Sequence, residues 1–231
     1  MKKILLSVAA LSMLIGATVF TSCKKTDTTP PTITVTGANP YTVTLGTTYT
    51  DPGAKATDNS GNDLTSSIVT NVSPTNPNMA VAGTYTINYN VTDANGNVAT
   101  QMTRTVYVQI VATNLVGHWS IADVTDTTVN YKDALTASTT SNMTVWTGAF
   151  AGYAGNAVSF VLTGNTGTTI NVPQQTVTAS SDNISRTYTG SGTVSTDAKT
   201  ITINYTQVDN STTPPTTTTG VDTYTNNTGK K

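Results

Sequence analysis

The sequence predicts an all-β protein, and three observations support this prediction. The chain is rich in threonine, with 54 in 231 residues, and it contains no glutamate. Threonine, valine and tyrosine favour extended strands, whereas the strongest helix formers are scarce. Beyond residue 22, apolar residues alternate with polar ones at a period of two, and no stretch keeps the 3.6-residue period of a helix.

The first 22 residues have the pattern of a secretory signal peptide. Lys2 and Lys3 provide a positive start, residues 4–20 carry no charge, and Thr21 and Ser22 are small. A permanent transmembrane helix is the alternative, although the apolar run is at the short end of what crosses a bilayer. We therefore predict an exported protein with a cleaved signal at residues 1–22.

The stretch "FTSC" at residues 20–23 contains the only cysteine of the chain. It resembles the lipobox of bacterial lipoproteins, except that Phe20 stands where leucine is usual. The resemblance implies that Cys23 becomes the acylated first residue of the mature chain, and two acyl chains are enough for stable membrane anchoring. We expect a lipid-anchored outer-membrane protein that faces outward, with residues 23–31 as an extended tether.

The composition argues against several classes of function. A net charge of −1 with only 10% charged residues leaves no basic surface for nucleic acid. His118 is the only histidine, no cluster of histidine and cysteine could hold zinc, and no phosphate-binding loop occurs. The sequence therefore predicts no enzyme, no cofactor and no metal site.

Residues 32–111 form the first predicted domain, which has the alternation of a β-sandwich. In "TYTINYNV", one face carries Tyr85, Ile87, Tyr89 and Val91. The pair Asn95-Gly96 between two such runs indicates a hairpin, because both central residues of the favoured turn need positive φ.

The same region resembles the bacterial Ig-like module that is named after an insecticidal crystal protein. The matching residues are Pro52-Gly53, Thr57-Asp58, Gly83-Thr84-Tyr85, Tyr89, Val91, Asp93, Gly96-Asn97 and Arg104-Thr105-Val106. Such modules serve mostly as spacers or adhesion units on cell surfaces, and the resemblance implies no catalytic residue.

Residues 112–231 form the second predicted domain. Six alternating runs, separated mostly by short turns, favour an antiparallel meander that closes into a lipocalin-like barrel, with residues 211–220 as a loop that packs little. Gly117-x-Trp119 is similar to the lipocalin entry motif. The run "GSGTVSTDAKTITINY" resembles the C-terminal domains of surface lipoproteins from polysaccharide-uptake loci, which implies a polysaccharide ligand and an outer-membrane transporter complex as partners.

Three groups of residues are candidate sites. Trp146, Phe150 and Tyr153 lie among small residues and could stack on sugars, with a core role for Trp146 as the alternative. The loop "TDNSGND" offers Asp58, Asn59, Asn62 and Asp63 as oxygen ligands for calcium, but we favour a loop whose side chains bond its own backbone.

Threonine modification is a further expectation. Thr28 and Thr127 each lie in an Asp-Thr-Thr triplet, which resembles an O-glycosylation acceptor used by some bacteria on exported proteins.

Three functional hypotheses follow from the sequence. The first is a glycan-binding or accessory protein of a polysaccharide-uptake system. The second is a structural or adhesion lipoprotein of the envelope with no small ligand. The third is a lipocalin-like carrier of an apolar molecule, which would need a deep apolar cavity.

Overall fold

The computed structural model describes residues 27–123, 130–138, 143–146, 149–155 and 157–226. The N-terminal domain contains six strands and a short 3-10 helix, Thr65–Ser67. The strands are β1 Thr32–Val35, β2 Tyr41–Thr44, β3 Ala54–Thr57, β4 Val69–Thr70, β5 Gly83–Asn90 and β6 Met102–Gln109.

These strands form the two layers of a sandwich. Strand β1 pairs with β3, and the second sheet has the order β2-β6-β5-β4, in which β2 runs parallel to β6. The core between the sheets contains Ile87 and Tyr89 of β5 and Val91 directly after it, all from the predicted inner face, and Tyr85 packs against this core while partly buried. The alternation of the sequence therefore predicted the buried face of this strand.

The C-terminal domain is a closed antiparallel barrel. Within the described residues, eight strands follow one another around the barrel in the order β7-β8-β9-β12-β13-β14-β15-β16, and β16 pairs back onto β7. The strands are β7 Gly117–Asp123, β8 Asn130–Ala137, β9 Met143–Trp146, β12 Ser159–Thr163, β13 Thr169–Thr178, β14 Ser185–Val194, β15 Thr200–Asp209 and β16 Thr216–Asn226. A small hairpin, β10 Ala149–Phe150 with β11 Tyr153–Ala154, is inserted between β9 and β12.

The predicted fold class is confirmed, but four details of the prediction differ from the structure. Strand β8, strand β9 and the β10–β11 hairpin lie where the sequence analysis predicted no strand. Part of the predicted loop at residues 211–220 is also strand, because Thr216–Gly220 pair with the end of β15 from Asp209 to Tyr205. Four consecutive β-branched residues are well suited to an extended partner strand.

Aromatic side chains occupy the interior of the barrel where the structure describes it. Phe150 of the inserted hairpin is fully buried, and its ring lies 5.4 Å from the rings of both Tyr188 and Tyr205, measured between centroids. Trp119 and Tyr224 are also fully buried. Edge-to-face and tilted contacts of this kind favour a single packed arrangement.

The hydrophobic core of the barrel extends into the adjoining end of the N-terminal domain. A 3-10 helix, Ala112–Leu115, follows β6, and Leu115 is fully buried with Val108 and Ile110 in the same cluster as the barrel interior. The backbone N–H of Ile110 donates to the carbonyl of Thr166, and that of Ala82 donates to Thr196. The predicted boundary at residues 111/112 thus lies at the start of this helix. Buried side chains and backbone hydrogen bonds connect the two domains there, in addition to the covalent chain.

No helix in the described parts of the chain is long and apolar enough to cross a membrane.

Candidate functional site

The residues that carry the Ig-like resemblance surround a buried arginine. Arg104 of β6 has no exposed surface, and its guanidinium donates to the carbonyl oxygens of Thr36 (2.5 Å), Gly53 (3.0 Å) and Ala38. Its Nε donates to the Tyr89 hydroxyl at 3.0 Å and lies 3.2 Å from a carboxylate oxygen of Asp51.

The hydrogen-bond partners of Arg104 are themselves connected by hydrogen bonds. The Tyr89 hydroxyl in turn donates to Asp51 at 2.8 Å, and Tyr49 donates to the same oxygen at 3.0 Å. Burial raises the pKa of Tyr89; the hydrogen bond from Arg104 lowers it by less, and Asp51 raises it further. Burial together with the Asp51 contact raises the pKa of Tyr49 well above its usual range. Both phenols therefore stay protonated and keep donating, so this network joins the sheets and leaves no group for chemistry.

Two loops of the N-terminal domain have the same pattern of hydrogen bonds, in which an aspartate accepts from residues of its own loop. In "TDNSGN", an Asp58 oxygen accepts from the backbone N–H groups of Ser60 and Asn62, and the Asn62 amide donates to the other oxygen at 2.6 Å. In "TDANGN", Asp93 accepts in the same way from Asn95 and Asn97. The hydrogen bond from the asparagine side chain is the largest cause that lowers the pKa of each aspartate. We call these the twin loops, residues 57–62 and 92–97.

The twin loops hold the start of the described chain. The Asn59 amide donates to the Asp27 carboxylate at 3.0 Å, and the Asn97 amide donates to the Asp27 carbonyl at 3.1 Å. Pro31 is buried. Residues 27–31, which we predicted as part of an extended tether, are therefore bound to the domain, because the loop amides compete successfully with water for the Asp27 oxygens.

The favoured interpretation of the "TDNSGND" loop agrees with these contacts. Asp58 is occupied by its own loop, and an oxygen of Asp63 accepts from the Thr65 backbone at 2.8 Å. Among the residues that the structure describes, no three histidine, cysteine or acidic side chains are grouped as a metal site would require.

The predicted modification sites are only partly described. Thr28 is exposed beside the bound Asp27. Cys23 and Thr127 lie outside the described residues, so the lipidation of Cys23 and the glycosylation of both threonines stay predictions.

The segment that contains Trp146, Phe150 and Tyr153, which we call the aromatic segment, does not expose its central ring for stacking on sugars. Phe150 is fully buried between Tyr188 and Tyr205, so its proposed role in stacking on sugars is wrong. Tyr153 is partly buried, and the Arg186 guanidinium covers its ring at 3.6 Å. Trp146 ends strand β9, where its backbone pairs with Leu135, and its side chain lies outside the described part.

Arg186 is the second buried arginine of the chain. It lies at the end of the barrel farthest from the N-terminal domain, and Asp182 binds it through both oxygens at 2.5 and 3.0 Å. Asp209 lies 3.8 Å away, and the buried Nε of Arg186 has no hydrogen-bond partner. The hydrogen bond from Arg186 is the largest cause that lowers the pKa of Asp182.

Two other polar residues of the barrel, His118 and Asp222, lie in different surroundings. His118 is exposed on β7, while the adjacent Trp119 is core and donates its indole N–H to the carbonyl of Leu115 at 3.0 Å. Asp222 is buried inside the barrel, where it accepts from Ala151 N–H at 3.2 Å and from the Tyr224 hydroxyl at 3.0 Å. The sequence analysis did not single out Asp222, although its place among alternating strand residues could have suggested an inward position.

A concavity of about 600 Å³ lies on the outer surface of the barrel. Its lining consists of three consecutive residues on each of three neighbouring strands: residues 189–191 of β14, 204–206 of β15 and 219–221 of β16. The register places Tyr205 at the centre, between Gly190 and Gly220. We call this concavity the outer groove. The sequence analysis missed it, because a concave shape depends on how strands bend.

Comparison with known proteins identifies the first domain. Residues 33–108 match the family model described as "Bacterial surface protein, Ig-like domain". The match covers about a third of the chain and confirms the predicted Ig-like module of a surface protein.

A second comparison concerns solved structures. The crystal structure of a lipoprotein from Bacteroides thetaiotaomicron is 19% identical, with a TM-score of 0.33, and the alignment covers 85% of this chain and 100% of the lipoprotein. A likeness at that score carries no argument about function. The chain has no match among characterised proteins.

Proposed function

We propose that this protein is a lipid-anchored outer-membrane protein that faces outward and presents its barrel to polysaccharide, as a binding or accessory component of an uptake system. One observation supports outward display of the barrel: the start of the described chain and the barrel are bound at opposite ends of the N-terminal domain. The twin loops hold Asp27 beyond the end of β5, whereas Ala82, directly before β5, bonds to the barrel.

The distances suit display of the barrel away from a membrane. Strand β5 has eight residues, which corresponds to about 25 Å between the two ends. Cys23 is four residues before Asp27, so the chain between them spans at most about 14 Å. A lipid at Cys23 would therefore keep the N-terminal domain close to the bilayer and hold the barrel beyond it.

The joint between the domains supports a rigid arrangement. Leu115 and Ile110 lie in the same buried cluster as Trp119 and Phe160 of the barrel. A Cβ on Gly167 would lie 2.0 Å from the carbonyl oxygen of Ile110, so the backbones of the two domains are in close contact. Such a stalk would orient the barrel instead of leaving it on a flexible linker.

A structural or adhesion role without a small ligand is the second candidate. The observation that favours it is the filled barrel, in which Phe150, Tyr188 and Tyr205 occupy the interior. The same packing gives no support to a carrier of an apolar molecule in that region, since such a carrier needs an open apolar cavity.

The anchoring part of the proposal is tested in the native host. We expect wild-type protein to incorporate labelled palmitate and to be removed from intact cells by added protease. Cys23→Ser should remain unacylated, either uncleaved or released in soluble form. Acylation of Cys23→Ser, or full protection of the wild type from protease in intact cells, would contradict the proposal.

A further inference from the structure

We propose that the outer groove is the polysaccharide-contacting surface of the barrel and that it binds a neutral, polyhydroxylated chain. This inference rests on the proposed function above and assigns it to particular residues. It replaces the aromatic segment around Phe150, which the structure places in the core.

The groove arises from small residues on the inner side of the sheet. A Cβ on Gly220 would lie 2.3 Å from the Tyr205 hydroxyl oxygen, and a Cβ on Gly190 would lie 2.4 Å from the carbonyl oxygen of Asn204. Glycine at both positions therefore lets the Tyr205 ring lie beneath β16 and lets β14 approach β15 closely. The outer surface is correspondingly concave at this point.

Two rows of outward side chains border the groove. Thr189, Thr206 and Thr219 are cross-strand neighbours and form one row, and Ser191, Asn204 and Val221 form the other. The middle row, which contains Tyr205, points inward. The two outward rows are two residues apart along each strand, or about 7 Å, and each crosses three strands, or about 10 Å. This shape is open at both ends and suits an extended chain better than an enclosed small molecule.

The chemistry of the rows selects the class of ligand. Five of the six outward side chains carry a hydroxyl or a carboxamide, and none is charged. None of these five side chains hydrogen-bonds to another described residue, unlike the Thr176 and Thr187 hydroxyls, which bond to each other at 2.9 Å. Their donors and acceptors are thus available to solvent or a ligand.

Other ligand classes fit the groove less well. A nucleic acid or another polyanion needs lysine or arginine contacts, and the lining has neither. A lipid or an aromatic ligand needs apolar walls, whereas Val221 is the only apolar side chain in the two rows. A neutral polysaccharide supplies hydroxyl groups that both donate and accept, which matches threonine, serine and asparagine.

The test removes hydroxyl groups without changing the shape of the groove. The variant T189V/T206V/T219V replaces one complete row by valine, which has the same branching and strand preference. The matched control T193V/T202V/T223V changes a cross-strand row on the same three strands that lies outside the groove lining. Thermal unfolding of both variants should resemble that of the wild type.

Binding is measured by affinity electrophoresis of the full mature chain in native gels that contain starch, dextran, mannan, xylan or mixed-linkage β-glucan. We expect at least one polysaccharide to retard the wild type and the control equally, and the groove variant to bind about tenfold more weakly, since three hydrogen bonds are lost. If the wild type is retarded and the groove variant is retarded equally, the groove assignment is wrong while the proposed function stands. If no polysaccharide retards the wild type, both are overturned.

Discussion

Each domain contains one buried arginine, and the two arginines differ in the number of chain segments that supply their hydrogen-bond acceptors. Arg104 is surrounded by acceptors from three separate segments of the chain, which contain Thr36 and Ala38, Asp51 and Gly53, and Tyr89. Arg186 relies mainly on Asp182, four residues before it, and its Nε has no partner.

The difference shows how each domain obtains its stability. The N-terminal domain is small and uses Arg104 to connect backbone segments of its two layers, so that removing the arginine would leave the Thr36 and Ala38 carbonyls without a donor and Asp51 without its cationic partner. The barrel has a larger aromatic core, and Arg186 adds a local contact at its far end. Burial of an arginine therefore does not by itself measure its contribution, which depends on how many separate segments it connects.

The largest expected effect comes from Arg104→Met. This substitution keeps the approximate volume, but it removes the positive charge beside Asp51 and the donor to the Thr36 and Ala38 carbonyls, so we expect the free energy of unfolding to fall by about 3–5 kcal/mol. Chemical denaturation followed by tyrosine and tryptophan fluorescence measures the change. Lys55→Met, at an exposed position of β3, is the control and should change stability by less than about 0.5 kcal/mol. Equal effects of the two substitutions would show that the buried network does not stabilise the domain.

The effect of Arg186→Met should be clearly smaller. The side chain of Asp182 is 30% exposed and that of Asp209 is 20% exposed, so water can solvate both after the substitution. Methionine also removes the unsatisfied Nε, and we therefore expect a loss within about 1 kcal/mol. The same denaturation experiment measures it. A loss as large as that of Arg104→Met would contradict the contrast between the two arginines.

The smallest expected effect concerns pH and the twin loops. The pKa values of Asp58 and Asp93 are lowered in the folded protein, mainly by hydrogen bonds from Asn62 and Asn97. Their stabilisation is therefore present above the unfolded pKa of 3.8 and is lost as the pH falls through the lower folded values.

The double variant D58N/D93N tests this expectation. Its melting temperature should lie below that of the wild type by a constant amount between pH 7 and pH 5, and the gap should narrow as the pH falls below 3.8. Thr42→Val, which changes an exposed residue of β2 without a titratable group, should show no such narrowing. A gap of unchanged size at the lowest pH at which the protein stays folded would mean that the charge of these aspartates is not what stabilises the loops.

Several features of the fold could be predicted because they depend on local patterns. Alternation around Ile87 and Tyr89 identified the buried face of β5. The Asn95-Gly96 pair lies in the connection between β5 and β6 as predicted, but only Gly96, with φ 87°, has the positive φ that the predicted two-residue turn needs at both positions. Arg104 is also one of the residues that match the Ig-like module, but the match alone did not indicate what its side chain binds. Its role required the positions of five acceptors from distant segments.

The candidate sites were less predictable, because a side chain's type does not indicate which way it points. Phe150 looked suited to an exposed platform among glycines and alanines, yet the short hairpin that carries it turns into the barrel. Asp27 looked like part of a polar tether, yet two loops from separate parts of the chain hold it.

The sequence by itself therefore determined the all-β class, the Ig-like module, the closed meander and most strand positions, since these follow from alternation and turn residues along the chain. Only the tertiary structure decided the shared core at Leu115, the binding of Asp27 and the outer groove around Tyr205. Each of these depends on atoms that are distant in sequence and are brought together by the packing of whole strands, and local preferences do not specify such distances.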